Sequence, residues 1–463
     1  MNRLRKMRPT YILISAFIVT LIVGTFLLML PVSVTGRPPW PYPLETPPFE
    51  YGPQFDGGAP FSVAFFTATS ATAVTGLAVV DTATYFSPFG QTIIAVLIQL
   101  GGIGTMTIVT LVAMVLARRS DMRTRVVASA SVSGVGLGNV RRVVSGVVIL
   151  TVTVETILAF TLLLRYIFLG DSFKTALGKA SFHAISAFNN AGFALSTNSL
   201  MDFATDPWII LPISIGIIIG GLGFPALLAF YRCGAHWWRW PMTTRLVFVG
   251  TISLLLSGWL FFAVAEWNNP NTLGTAKDSA GKILMAFFAS ITPRTAGFNS
   301  IDVGSMTDIS RVMTDMLMFI GGGPGGTAGG VKITTAFVIG FVVWSEMRGG
   351  RAVNILGLRL PRSAQRQALT VMSLSSIAVM AGTMLIMVQT TANLDQALFE
   401  SVSAFATVGL STGITPTLPE SSQIVLIVLM IIGRLGPLTI ATALALRTTP
   451  LTYELPKDRP LIG

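Results

Sequence analysis

Cysteine and histidine are almost absent from this sequence: 463 residues contain one cysteine and two histidines. Cys233 alone cannot form a disulfide within the chain, and a cysteine-based metal site is not expected. His183 and His236 lie far apart, so we interpret each as a packing or surface residue rather than a metal ligand. No histidine pair, acidic pair or nucleophile motif occurs inside the apolar segments, so we predict neither an enzyme nor an organic cofactor.

Charged residues are also scarce, at 11% of the chain, whereas 52% of the residues are hydrophobic. The mean hydropathy of +0.71 is typical of a polytopic membrane protein rather than a soluble domain. The net charge of +11 comes from basic residues that cluster between apolar segments. This pattern favours cytoplasmic loops of a membrane protein and argues against nucleic-acid binding. The first apolar stretch is followed by no cleavage pattern, so we expect it to be a retained helix.

One short pattern occurs four times, at intervals of about a hundred residues. Each copy has a serine and, further on, a glycine followed by a large apolar residue. The copies are residues 70–77, 186–193, 290–298 and 403–410. The last copy contains Thr407-Val408-Gly409, the core of a potassium-filter sequence, in which backbone carbonyls replace the water shell of the ion. Glycine lets the chain leave helical geometry without blocking a pore.

Each copy lies between two long apolar stretches and follows an apolar segment too short to cross a membrane. We therefore predict an all-α polytopic membrane protein with four units, each built of span, pore helix, filter and span, in a pseudo-fourfold arrangement around one pore. Units one to four are residues 10–116, 143–231, 246–344 (with a broken second span) and 367–446. The prediction contains eight full spans. Basic segments at the N terminus and between units place both termini in the cytoplasm and the filters outside.

The predicted potassium filter consists of the residues around the repeated glycines, with potassium bound through backbone carbonyls. The structural alternative is glycine at ordinary helix turns. The filter residues are Val74, Thr75, Gly76, Asn190, Ala191, Gly192, Thr295, Ala296, Gly297, Thr407, Val408 and Gly409.

A glycine-rich run interrupts the sixth span, and no continuous helix survives it, because each glycine costs about 1 kcal/mol and proline about 3. Apolar helix on both sides predicts a break at membrane depth beneath the filter; the alternative is a loop outside the membrane. A phosphate-binding loop is excluded because Val331 separates Gly330 from Lys332 and Ile333 follows. The predicted gate residues are Gly321, Gly322, Gly323, Pro324, Gly325, Gly326, Thr327, Ala328, Gly329, Gly330, Lys332 and Arg434.

Arg434 lies inside the eighth span, where a buried arginine costs several kcal/mol and faces a cavity or a partner. Its predicted counterpart in unit two is Leu222. We predict that Arg434 is an electrostatic barrier in the pore, with an ion pair to Glu400 as the alternative; Glu400 could instead brace the filter backbone. Lys332 is expected to neutralise carbonyls or an acid at the gate, and Glu155 has no assigned role.

On these motifs the chain resembles the membrane subunits of the Ktr/Trk/HKT superfamily of potassium transporters, over about residues 10–446. The first filter follows the N-terminal span without two extra leading helices, which is similar to the Ktr branch. The resemblance implies potassium uptake across the bacterial plasma membrane, with sodium as a candidate activator. It also implies a homodimer in membrane lipid on a separate cytosolic ring of nucleotide-binding, KtrA-like regulatory subunits.

Two features bear on the details of this resemblance. Glycine at Gly76 rather than serine implies potassium selectivity, whereas the family loop at the gate is richer in serine than residues 320–330. Two alternatives stay open: a Trk-type subunit with different ion coupling, and a broken-helix solute carrier with inverted repeats. The four repeats in one orientation argue against the carrier.

Overall fold

The computed structural model describes residues 9–35, 57–119, 140–350 and 352–446 of the chain. The side chains of residues 9–14, 108, 111–119, 140–142 and 437–446 are outside the described part. The basic N terminus, most of the proline-rich loop after the first span, and most of the arginine-rich loop between units one and two also lie outside it. The predictions for these segments therefore stay predictions.

The described residues form fifteen α-helices and one short hairpin. The helices are α1 (Pro9–Leu28), α2 (Phe61–Ala73), α3 (Thr82–Tyr85), α4 (Pro88–Arg119), α5 (Val140–Phe168), α6 (Phe173–Asn189), α7 (Pro207–Leu222), α8 (Phe224–Cys233), α9 (Met242–Ala265), α10 (Ser279–Ile291), α11 (Asp308–Phe319), α12 (Ile333–Met347), α13 (Arg362–Gln389), α14 (Leu394–Ala406) and α15 (Glu420–Leu446). The strands β1 (Asn354–Ile355) and β2 (Leu358–Arg359) pair antiparallel. The predicted all-α class is confirmed.

Four helices are long and apolar enough to cross a membrane: α4, α5, α9 and α13. A fifth span results if the bent pair of α7 and α8 is counted as one. Helices α1 and α15 have described side chains over only part of their length, and α11 and α12 are separate short helices. The chain is therefore a multi-pass membrane protein, while the count of eight spans stays a prediction.

Four short helices, α2, α6, α10 and α14, lie where the sequence predicts the pore helices, over about residues 61–72, 173–188, 279–291 and 394–405, and agree with these bounds to within one residue at each end. Side-chain caps begin three of them: Ser172, Asp278 and Asn393 each accept a backbone N–H from the first turn. The last two turns of each helix are almost entirely buried. These helices therefore end inside the protein, where the four repeated motifs begin.

Two of the predicted second spans are broken. In unit three α11 ends at Phe319 and α12 begins only at Ile333, so the helix is interrupted there; residues 320–332 between them are called the glycine loop here. The prediction of a continuous span over about 208–231 in unit two is wrong. Helix α7 ends at Leu222 and α8 starts at Phe224, with a bend of 95° between them. We call Gly223, which lies between the two helices, the short break.

Candidate functional site

The four repeated motifs share one backbone conformation. Each contains a non-glycine residue in the left-handed region, and a glycine of positive φ follows two residues later. In units one, two and four the non-glycine residue directly follows the pore helix, whereas in unit three α10 ends at Ile291 and Thr295 lies four residues further on. The pairs are Val74 (57°) and Gly76 (93°), Asn190 (58°) and Gly192 (73°), Thr295 (67°) and Gly297 (73°), and Thr407 (53°) and Gly409 (95°). A side chain in this region costs about 1–2 kcal/mol. Its occurrence at four matched positions shows that all four segments turn in the same way.

The four glycines approach the carbonyls of neighbouring segments in cyclic order. A Cβ on Gly192 would lie 2.9 Å from the carbonyl oxygen of Ala296. A Cβ on each of the other three glycines would overlap a carbonyl oxygen: Ala191 from Gly76, Val408 from Gly297, and Thr75 from Gly409. The contacts run from segment one through four and back to one. The segments therefore surround a common axis, and only glycine fits at these positions.

Pore-helix hydroxyl groups support the turn in units one and four. The Ser70 Oγ accepts the Gly76 backbone N–H at 3.0 Å, and the Ser403 Oγ accepts that of Gly409 at 3.1 Å. These bonds hold the glycine amides toward the pore helix. In these two units the repeated serine therefore has a structural role behind the glycine.

Units two and three use the hydroxyl as a donor. The Ser186 Oγ donates to the Phe193 carbonyl at 2.7 Å, and the Thr292 Oγ1 donates to the Phe298 carbonyl at 2.5 Å. Ser290, the repeated serine of unit three, donates instead to the Leu255 carbonyl of α9 at 2.7 Å. Because the third motif is one residue longer, Thr292 takes the place that Ser186 has in unit two.

The glycine loop lies inside the protein. Its ends are joined by a parallel bridge between Ile320 and Val331, and the Gly321 N–H donates to the Val331 carbonyl at 2.8 Å. Residues 321–331 are buried, apart from the half-buried Pro324. The loop is therefore enclosed by protein rather than exposed on its surface, while its depth in the membrane stays a prediction.

The glycine loop is docked on the short break of unit two by three backbone hydrogen bonds. They run from Gly323 N to Gly221 O (2.8 Å), from Thr327 N to Gly220 O (3.1 Å) and from Phe224 N to Gly325 O (3.1 Å). In a continuous helix, the Phe224 N–H would bond to the carbonyl of Gly220, and Pro225 has no N–H to offer Gly221. The backbone groups freed by the break are thus the ones that hold the loop.

The other side of the glycine loop contacts the end of the fourth pore helix. A Cβ on Gly329 would overlap the Thr407 Oγ1, and a Cβ on Gly330 would lie 3.0 Å from the Ala406 Cα. The loop therefore lies directly against the fourth motif, and these two glycines allow the close approach.

Three basic side chains donate to carbonyls of the glycine loop: two, Arg294 and Arg434, are buried, and Lys332 is half-buried. Arg434, which is 7% exposed, donates to Thr327 O through Nη1. Lys332 Nζ donates to Ala328 O at 2.5 Å, and Arg294 Nη2 donates to Gly321 O at 3.4 Å. The four ion pairs of the described residues include none of these three groups. Positive charge is thus concentrated on the loop that contacts the fourth motif.

Arg434 also joins the loop to unit one. Its Nη2 donates to the Gly101 carbonyl at 3.2 Å and to the Thr105 Oγ1 at 2.9 Å, both on α4. The guanidinium therefore bridges the glycine loop and a span of another unit. Lys332 donates to a carbonyl, one of the two partners that the sequence suggested for it.

The alternative ion pair between Arg434 and Glu400 is not formed. Glu400 is fully buried and accepts from Ser411 Oγ at 2.6 Å, Thr415 Oγ1 at 2.6 Å and Thr412 N at 3.0 Å. These partners follow the fourth motif along the chain. Glu400 therefore holds the segment beyond Gly409 in place, close to the bracing role that the sequence allowed.

The alignment of Arg434 with Leu222 is wrong by one residue. A Cβ on Gly433 would overlap the Phe405 carbonyl, and a Cβ on Gly220 would overlap the Phe188 carbonyl, which is the equivalent position in unit two. Arg434 thus corresponds to Gly221, whose carbonyl accepts the N–H of Gly323. Both positions hold the glycine loop, one through a side chain and the other through the backbone.

Sequence reasoning missed Arg294 as a site residue. It directly precedes Thr295 of the third motif and is 7% exposed. Its charge inside an apolar motif was the available signal, since a buried charge in a membrane protein marks a functional candidate. The buried Glu155 is a second missed group, and its partners are described below.

Comparison with known proteins gives one family. The TrkH family, described as cation transport proteins, matches residues 56–449. The Ktr system potassium uptake protein B of Bacillus subtilis is 37% identical over 440 residues, which cover 95% of this chain and 94% of that protein. The potassium/sodium uptake protein NtpJ of Enterococcus hirae is 30% identical over 476 residues, covering 100% and 99%.

A solved structure has the same fold. The potassium transporter TrkH from Vibrio parahaemolyticus matches with a TM-score of 0.67 over 85% of this chain and 79% of that chain. The sequence identity is 17%, so this likeness bears on the fold alone.

Proposed function

This chain belongs to the TrkH family of cation transport proteins, and from that premise we propose that it takes up potassium across the bacterial plasma membrane through one pore per chain. The similarity to potassium uptake proteins over nearly the whole chain supports the ion and the process. The observation that carries the pore is the cyclic contact of four glycine turns around one axis. A carrier with two inverted repeats would not bring four like-oriented turns together in this way.

In this proposal the filter selects potassium by replacing its water. Residues 74–76, 190–192, 295–297 and 407–409 supply backbone carbonyls around the axis, where they coordinate a dehydrated cation. Non-helical backbone at membrane depth is tolerated when it lines a cavity of this kind. The hydroxyls of Ser70 and Ser403 hold two of the glycine amides back from the axis and so fix the ring.

The glycine loop is the proposed gate. It lies against Thr407 of the fourth motif and holds three basic groups, of which Arg434 is the most firmly bound. A fixed positive charge in a narrow passage opposes a cation, by about 4 kcal/mol at 4 Å with an effective dielectric of 20. Opening then requires the loop to move away from the short break, so that the three basic groups bound to it no longer lie in the path of the ion.

The assembly and orientation follow from the Ktr resemblance. The proposed protein is a homodimer in membrane lipid, with both termini in the cytoplasm and the filter facing outward. A separate cytosolic ring of nucleotide-binding subunits would control the glycine loop, and sodium is a candidate activator. The basic segments between units support this orientation.

Flux in liposomes tests the proposal. Purified protein should carry rubidium and potassium, and should carry sodium more slowly. Gly409→Ser should lower the apparent potassium affinity and the selectivity over sodium, because a side chain there overlaps Thr75 O and meets Gly76. Gly413→Ser is the matched control, since Gly413 has nearly the same φ (94°) but open space around it. Absence of cation flux from folded protein would overturn the proposed function, and unchanged selectivity in Gly409→Ser would remove Gly409 from the filter.

A further inference from the structure

Three polar side chains form a buried network behind the second motif. Gln99 Nε2 donates to Glu155 Oε2 at 2.9 Å, and Asn189 Nδ2 approaches Glu155 Oε1 at 3.0 Å and Gln99 Oε1 at 2.7 Å. Glu155 is 9% exposed, and Asn189 is fully buried. The network joins α4 of unit one to α5 and α6 of unit two. No basic side chain is among the partners of Glu155 in the described residues.

Asn189 connects this network to the filter. It is the last residue of α6 and directly precedes Asn190, which has the left-handed conformation. The corresponding residues of the other units are Ala73, Arg294 and Ala406, so unit two alone has an amide at this position. Because Asn189 is held from outside its own helix, the end of α6 cannot rotate without breaking the bonds to Glu155 and Gln99.

We propose that Glu155 is a positioning residue that acts through Asn189 to fix the second filter segment and so sets the ion preference of the pore. This inference rests on the proposed potassium pore. The segment that begins at Asn190 includes Ala191, whose carbonyl faces Gly76 of the first motif across the ring. A displaced α6 terminus would therefore change the spacing between segments one and two.

The hydrogen bonds of Glu155 determine which substitutions test this role. The Glu155 carboxylate receives two N–H donors on two oxygens, one from each amide. Glu155→Leu removes both acceptor oxygens, so that the Gln99 amide loses this partner and Asn189 Nδ2 keeps only Gln99 Oε1 and Ile185 O. Glu155→Gln keeps the shape and one acceptor oxygen, so that one of the two bonds to residue 155 is retained. If positioning is the role, Gln should have an intermediate effect and Leu the full one.

The experiment measures potassium affinity and the rubidium-to-sodium flux ratio in liposomes for purified, folded protein. Glu155→Leu and Asn189→Ala should each lower the flux ratio on the order of tenfold and raise the apparent KM for potassium, with Glu155→Gln between these variants and the wild type. The double variant should be no worse than Asn189→Ala alone, because both changes act through one contact. A role in stability alone would reduce the yield and the maximal rate without moving the flux ratio.

Thr151→Val is the matched control. Thr151 lies one turn before Glu155 on α5, is fully buried, and has a hydroxyl with no hydrogen-bond partner among the described residues. This variant should keep the wild-type ratio. If Glu155→Leu also keeps it, or if the double variant shows two independent losses, the inference is overturned while the proposed function stands. If the wild-type protein itself shows no cation flux, the proposed function fails instead.

Discussion

The two broken spans differ in length and depend on each other. In unit three, thirteen residues separate α11 from α12, and in unit two a single residue separates α7 from α8. The long break offers backbone N–H groups, and the short break offers the carbonyls of Gly220 and Gly221. Each break supplies partners for the polar groups that the other leaves free. The two breaks are therefore one structural device, in which the short break supplies partners for the backbone groups of the glycine loop.

Unit one shows what the short break requires. Residues 101–104 have the sequence Gly-Gly-Ile-Gly and remain inside the continuous helix α4, while the similar residues 220–223 end α7. Proline alone does not explain the difference, since α7 contains Pro212 without a break. What distinguishes unit two is Pro225 two residues after Gly223, together with a neighbouring loop that pairs with the freed groups.

The largest expected effect comes from removing the long break. Deleting residues 322–327 takes away the loop residues that contact Gly220 and Gly221 and the carbonyl bound by Arg434. Flux should rise strongly and lose most of its dependence on the regulatory subunit. Rubidium uptake with and without that subunit measures this. Reduced flux in correctly assembled protein would show that the loop is a structural part and not a gate.

A smaller rise is expected from Arg434→Ala, which removes the charge but leaves the two breaks paired. The maximal potassium flux should increase on the order of tenfold, equivalent to about 1.4 kcal/mol of barrier, with the selectivity order nearly intact. Arg434→Lys should restore much of the block, because charge opposes the cation.

Thermal stability measurements on these Arg434 variants distinguish an electrostatic barrier to the cation from a purely structural role of the side chain. Arg434 also bridges Thr327, Gly101 and Thr105, so some loss of stability is expected in both variants. Lower stability without raised uptake in the alanine variant would contradict the barrier.

The smallest effect is expected from Thr105→Val, which removes one of the acceptors of Arg434 and keeps its charge. A single hydrogen bond to a charged group contributes about 1.5–3 kcal/mol at most, and the bonds to Thr327 and Gly101 remain. Flux should rise by less than in Arg434→Ala. A rise as large as that of the alanine variant would mean that the position of the guanidinium, and not its charge, closes the pore.

Local signals predicted most of the fold. The pore helices follow from apolar segments too short to cross a membrane, and the long break follows from a glycine run that no helix tolerates. The Gly-Gly-x-Gly pattern alone could not predict the short break, because the same pattern is helical in unit one and only unit two adds Pro225. Whether the helix is interrupted at this pattern depends also on the glycine loop that packs on it, which begins about a hundred residues later in the chain.

The partners of buried charges were the least predictable part of the site. Glu155 binds Gln99, 56 residues earlier, and Asn189, 34 residues later, and Arg434 binds α4 at the other end of the chain. A repeat alignment suggests where such groups lie but not what they contact. The one-residue error at Leu222 shows the limit, since only packing on Phe188 and Phe405 fixed the register.

The most direct test of the account compares Gly223→Ala with Gly104→Ala. Gly223 has a φ of 88°, and a Cβ there would lie 2.7 Å from Pro324 O and 2.9 Å from Gly326 N, so alanine should push the glycine loop off the short break. Gly104, three residues after Gly101 as Gly223 is after Gly220, is helical with open space around it. A strain of about 1–2 kcal/mol corresponds to roughly a 5- to 30-fold shift in a two-state equilibrium. The account predicts that rubidium flux without the regulatory subunit rises in this range for Gly223→Ala and stays at the wild-type level for Gly104→Ala. Equal flux in the two folded variants would contradict a gate held by paired breaks.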